Sequence, residues 1–96
     1  MTHHVLVSDK LDKKGLQILG AAENISLDNK PGLKPEEQQQ IIGSYEGLIV
    51  RSATKVNAAL LEHAKHLRIV IRAGIGVDNI DVAACKARGI VVENTP

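Results

Sequence analysis

Along the chain, short runs of β-branched and aliphatic residues alternate with longer stretches whose apolar positions recur at helical spacing. Residues 5–8, 25–27, 48–50, 68–71 and 90–92 read as five strands. The stretch 11–22 reads as a helix with Leu11, Gly15, Leu16 and Leu19 on one side. A second helix is predicted over 35–42, with Pro35 at its first position and Gly43 past its end. The turn "DNKPG" separates it from the strand before. Asn57 can cap a third helix whose Ala58, Leu61 and Ala64 share a face, and Asp81 can cap a fourth that ends at Gly89.

Strict alternation of strand and helix is the signature of a parallel sheet with crossover helices. With right-handed crossovers, the expected architecture is α/β: a flavodoxin-like doubly wound five-stranded sheet in the order 2-1-3-4-5, helices on both faces. Composition agrees. A chain of 96 residues holds one domain, and with 44% hydrophobic but only 1% aromatic residues its core must be built from Val, Ile, Leu and Ala. Twelve basic residues are balanced by eleven acidic ones, so no basic stripe is available for nucleic acid or a membrane surface. The single Cys85 excludes an internal disulfide and any multi-thiolate metal site. With no secretory apolar segment and no run of membrane-spanning length, the cytoplasm is the expected compartment.

Folds of this kind hold ligands beyond the carboxyl ends of their strands. The residues that follow the apolar runs are therefore the candidates: Asp9, Asp28, Arg51 with Ser52, Arg72 with Ala73 and Gly74, and Asn94. If the third and fourth strands pair, Arg51 and Arg72 emerge about 5 Å apart at the backbone. Guanidinium groups grip carboxylate or phosphate through two parallel hydrogen bonds. In "RAGIGVDN" the small residues let the backbone approach a ligand, and successive N–H groups there can form an anion nest. An isolated Arg at a strand end is commonly just solvated; the pair, together with the glycines, points to an anion site.

The same segment imitates a dinucleotide fingerprint, with Gly74 and Gly76 at G-x-G spacing and Glu93 where a ribose-binding acid would fall. It fails at the third glycine, which is Asn79. Asp9 ends its strand as a phospho-accepting aspartate would, but Arg51 ends the third strand where a receiver domain needs its acceptor. His63 and His66 have a chelating spacing without a third ligand nearby, and His3 and His4 lie at a terminus. Cys85, among alanines, reads as a small core residue.

The stretch "LIVRSATKVNAALLEHAKHLRIVIRAGIGVDNIDVAACKARGIVVENTP", preceded by "VLVSDKLDKKGLQIL", closely resembles the amino-terminal part of the NAD-dependent D-2-hydroxyacid dehydrogenases, and among them the phosphoglycerate branch. "VRSATKV" and "RAGIGVDNID" in this order carry the likeness, which covers essentially the whole chain. The resemblance implies that residues 1–96 are the amino-terminal part of a substrate-binding domain, with a hinge at 94–96 leading into an NAD-binding domain. Arg51, Ser52, Arg72, Ala73 and Gly74 would then hold a small phosphorylated hydroxyacid, with Ile75 beside the nicotinamide. It also implies an oxidoreductase that converts 3-phospho-D-glycerate to 3-phosphohydroxypyruvate at the entry to serine biosynthesis, and a parent assembled as a homo-oligomer through its other domain. Catalytic groups and the glycine-rich NAD loop would lie past residue 96, leaving this chain inactive alone. Another D-2-hydroxyacid or glycerate dehydrogenase, or a stand-alone anion-binding module, remain alternatives.

Overall fold

A computed structural model describes residues 3–10, 24–51, 53–73 and 78–95. Five strands, β1 (His3–Val7), β2 (Ile25–Asn29), β3 (Gly47–Val50), β4 (Ile69–Ala73) and β5 (Val91–Thr95), pair in parallel in the order β2-β1-β3-β4-β5. This is the flavodoxin-like order expected from the alternation of elements. The helix expected over 11–22 lies outside the described residues, as do Ser52, Gly74, Ile75 and Pro96.

Three helices cross between described strands: α1 (Pro35–Ile41), continued by a 3-10 turn over Ile42–Ser44, then α2 (Ala58–His63) and α3 (Val82–Ala87). Their starts and stops follow local chemistry. The Asn57 side chain accepts from Leu60 N–H at 3.0 Å and Asp81 accepts from Ala84 N–H at 3.0 Å, so both expected caps are in place. Helix α3 closes in a Schellman arrangement: Gly89 N–H donates to the Lys86 carbonyl and Ile90 N–H to that of Cys85. Gly89 has φ of 74°, a conformation that strains any side chain.

All three helices cover one face of the sheet. Leu6, Leu48, Val70 and Val92 form a row across β1, β3, β4 and β5. They pack with Ile42, Leu60, Leu61 and Cys85 in one aliphatic cluster. Cys85 is fully buried, the small core residue its neighbours implied, and burial pushes its thiol pKa up. Val7 and Ile49, on the opposite face, are also buried.

Strand boundaries depart from the apolar runs at several places. Asp28 lies inside β2, Arg72 and Ala73 inside β4, and Glu93 and Asn94 inside β5. The ladder explains this, because its hydrogen bonds come from the backbone and continue past the last apolar side chain: Arg72 pairs with Val50 on one side and Asn94 on the other.

A candidate anion-binding rim

The register sets the geometry at the carboxyl edge. Because paired residues share a face, Arg72 stands in the same row as Val50 and Asn94, one step beyond the core row and on the helix-covered side. Arg51 follows Val50 directly, so the two arginines leave the backbone at neighbouring positions. Ala73 ends β4 beside them.

Behind Arg51 lies a buried polar network that anchors the loop between β3 and α2. Asp9 is only 6% exposed. One of its oxygens, Oδ2, accepts from Arg51 N–H at 2.7 Å and from Thr54 N–H at 3.0 Å. The other, Oδ1, accepts from the Thr54 hydroxyl at 2.6 Å. Ser8 Oγ lies 2.8 Å from Thr54 Oγ1, and Gln38 Nε2 donates to the Leu33 carbonyl at 3.3 Å. A carboxylate engaged at both oxygens by backbone and hydroxyl donors is a structural anchor, which gives Asp9 a role other than phosphate acceptance.

Asn79 makes the second brace. Its Nδ2 donates to the carbonyls of Arg51 and Thr54, each at 2.7 Å, and its Oδ1 accepts from Arg72 Nε at 2.9 Å. Two carbonyls on one side and a guanidinium on the other leave a single sensible amide orientation. The bridge between Val56 and Ile80 ties the same two loops. Arg51 turns its Nη1 toward the Lys10 carbonyl at 3.3 Å, and its side chain is exposed, whereas Arg72 is half-buried.

Sequence reasoning and structure meet unevenly at this rim. Arg51, Arg72 and Ala73 lie together at one edge, while Ser52, Gly74 and Ile75 lie outside the described residues. Asp28 is drawn away, accepting from the Tyr45 hydroxyl at 2.5 Å. Glu93 pairs with Ile71 and so faces the side opposite Arg72 and Asn94. His66 contacts the Gly43 carbonyl at 2.8 Å, and no group of three His, Cys, Asp or Glu capable of holding a metal exists among the described residues. Thr54, Ser8 and Gln38 went unremarked in the sequence; a polar side chain falling where a strand ends, as Ser8 does, was the available signal. Asn79 was noticed only as a defect in a glycine motif.

That defect also bears on nucleotide binding. The start of α3 is occupied by the Asp81 carboxylate, and Asn79 fills the third-glycine position with a buried side chain. An anionic cap repels a pyrophosphate, so the described residues of the β4–α3–β5 unit do not fit a dinucleotide cradle.

The fold defines the class: a doubly wound α/β domain whose polar rim occupies the ligand edge of such sheets. Within that class, the chain belongs to the D-isomer specific 2-hydroxyacid dehydrogenase family, whose catalytic-domain profile matches residues 5–96. It is 46% identical over 94 residues to hydroxypyruvate reductase of Thermotoga maritima, covering 98% of this chain and 30% of that protein. It is 45% identical over 92 residues to D-3-phosphoglycerate dehydrogenase of Synechocystis sp., covering 96% of this chain and 16% of that one. The crystal structure of NAD+-bound 3-phosphoglycerate dehydrogenase from Entamoeba histolytica superposes with a TM-score of 0.83 at 28% identity, covering 100% of this chain and 33% of the other. The chain thus spans a third or less of each of these proteins. No helix among the described residues is long and apolar enough to cross a membrane.

Proposed function

We propose that this chain is the amino-terminal part of the substrate-binding domain of an NAD-dependent oxidoreductase that converts 3-phospho-D-glycerate to 3-phosphohydroxypyruvate, the first step of serine biosynthesis. The observation that carries the reading is the placement of Arg51 and Arg72 at adjacent strand ends, linked through Asn79. The substrate carries two anionic groups, a carboxylate and a phosphate, and two guanidinium forks on one rim match that demand. In this reading Ser52, Ala73 and Gly74 complete the substrate contacts, Ile75 lies beside the nicotinamide, and a hinge at 94–96 leads to the polypeptide that binds NAD and supplies the acid/base group. Oligomer contacts belong to that same later polypeptide.

NAD supplies the hydride acceptor when bound; this chain's part is to bind and orient the acid. Three checks follow. The coding sequence should continue past Pro96 into a strand followed by G-x-G-x-x-G. Titration calorimetry or NMR on the chain should show tighter binding of 3-phosphoglycerate than of D-glycerate. The chain incubated with NAD and 3-phosphoglycerate should give no NADH, and measurable turnover would overturn the placing of the catalytic groups elsewhere.

A second reading is favoured by the hydroxypyruvate reductase likeness: the substrate is an unphosphorylated hydroxyacid. Equal affinity for D-glycerate and 3-phosphoglycerate would select it, since one guanidinium then has no phosphate to meet.

A further inference from the structure

Asn79 stands between the two arginines, and its three hydrogen bonds divide into two kinds. Both Nδ2 protons go to main-chain carbonyls, those of Arg51 and Thr54, and so fix the side chain itself. With the amide fixed, Oδ1 has one position, and Arg72 Nε is held against it at 2.9 Å. The residue is 8% exposed, so water does not readily replace these contacts.

A guanidinium offers an anion two bidentate edges, one formed by Nε with one terminal nitrogen and the other by the two terminal nitrogens. In Arg72 the first edge is engaged by Asn79. Only the terminal edge stays available for a fork-on-fork contact. In Arg51 the engaged atom is Nη1, facing the Lys10 carbonyl, and the edge formed by Nε with the other terminal nitrogen is not engaged by that contact. The two arginines therefore differ in how they can meet an acid, although their backbones are neighbours.

We propose that Asn79 is a positioning residue: it locks the Arg72 guanidinium so that its two terminal nitrogens, and not Nε, receive an acidic group of the substrate. The inference rests on the anion-binding reading of the rim given above and adds to it the edge of Arg72 that is used. It also explains why a side chain replaces the third glycine at this point of the motif. The bond that a glycine there would lack is the one that aims the arginine.

The test is NMR of the 96-residue chain with 15N-labelled arginine, in which Arg72→Lys identifies the Arg72 Nε–H signal by its loss. In the unchanged chain this proton should exchange with water at least about tenfold more slowly than that of exposed Arg88, because it is hydrogen-bonded to the buried Asn79 amide. Titration with 3-phosphoglycerate should leave it slow while shifting the terminal nitrogens. Asn79→Ala should release the proton to fast exchange and weaken 3-phosphoglycerate binding by about tenfold, the loss of one oriented charge-assisted contact. Fast exchange of Arg72 Nε–H in the unchanged chain overturns the inference, whether or not Asn79→Ala folds. So does an Asn79→Ala chain that binds 3-phosphoglycerate as tightly as the unchanged one. A slow Nε–H signal in a chain that binds no 3-phosphoglycerate sinks the proposed substrate and leaves the locking of Arg72 standing.

Discussion

The two ends of this sheet carry similar charge and do different things with it. At the carboxyl end, Arg51 and Arg72 rest on Ser8, Asp9, Thr54 and Asn79, all buried and all hydrogen-bonded to one another or to the loops they join. At the amino end, an open groove carries Lys65, His66 and Arg68, all exposed, beside Glu46. There an ion pair, His3 with Glu46 at 2.9 Å, lies between partly exposed side chains. Exposed pairs contribute roughly 0–1 kcal/mol and hold no fixed geometry. A count of Lys and Arg would rank the two groups equal; what separates them is the buried polar scaffold, which holds the Arg51 main chain through Asp9 and Asn79 and the Arg72 guanidinium through Asn79 before a ligand arrives.

The largest effect should come from removing that scaffold. Asp9→Ala leaves three donors, Arg51 N–H, Thr54 N–H and the Thr54 hydroxyl, without their acceptor in a buried site. We expect a loss of about 3 kcal/mol in urea denaturation, since orphaning buried partners of a charged group reaches that size. Asp9→Asn keeps an acceptor for the two backbone donors and should cost about 1 kcal/mol. Equal losses for the two variants would mean that the shape of the side chain, not its hydrogen bonds, anchors the loop.

Next in size is the ligand contrast between the ends. Arg72→Ala should lower the affinity for 3-phosphoglycerate by about tenfold or more, equivalent to about 1.4 kcal/mol for each factor of ten. Arg68→Ala, in the amino-terminal groove, should leave that affinity unchanged. A comparable loss for both variants, measured by calorimetry, would remove the distinction between a braced rim and a merely basic surface.

How much of this was legible beforehand depends on which atoms carry the information. Strand order, the caps at Asn57 and Asp81 and the stop at Gly89 follow from side-chain type and spacing, which the sequence displays directly, and the family from the resemblance of two quoted motifs. The two arginines were also visible, because a residue after an apolar run falls at a strand end. The scaffold was not. Asp9, Thr54 and Asn79 meet across separations of 45 and 25 residues, and no local pattern records that meeting. Asn79 even counted against a motif, because its role requires the Arg51 and Thr54 carbonyls, which only the fold brings to it. Strand ends were misjudged for a related reason: a ladder of backbone bonds carries Arg72 and Asn94 irrespective of their polarity.

Between the two ends in environment is Tyr45, buried and donating to Asp28. Burial first, then the bond to Asp28 and its negative charge, push the phenol up to about 12. The folded value exceeds the ordinary 10.0, so the stabilisation is complete below pH 10 and fades as pH rises toward 12. Tyr45 is the chain's one aromatic residue, so absorbance near 295 nm follows its ionisation without interference. The ionisation should coincide with unfolding. Tyr45→Phe should cost about 1 kcal/mol at neutral pH. A phenol titrating near 10 while the fold persists would show that the Asp28 contact is not held in solution.

The smallest effect belongs to the amino-terminal end. The His3 ring bonded to Glu46 holds that carboxyl below the usual glutamate range, against a smaller opposing effect of burial, and the positive charges of His3, Arg68 and His4 add to it. A depressed folded pKa means that the contribution is present above the unfolded pKa and is lost as pH falls through the folded one. Urea denaturation of the chain and of Glu46→Gln should therefore give slightly separated midpoints at neutral pH that converge in the acid range. His3→Ala should close the same gap at neutral pH. Midpoints that stay apart at low pH would assign the difference to packing. A Glu46→Gln loss matching that of Asp9→Ala would end the contrast itself, because an exposed pair would then anchor the fold as firmly as a buried network.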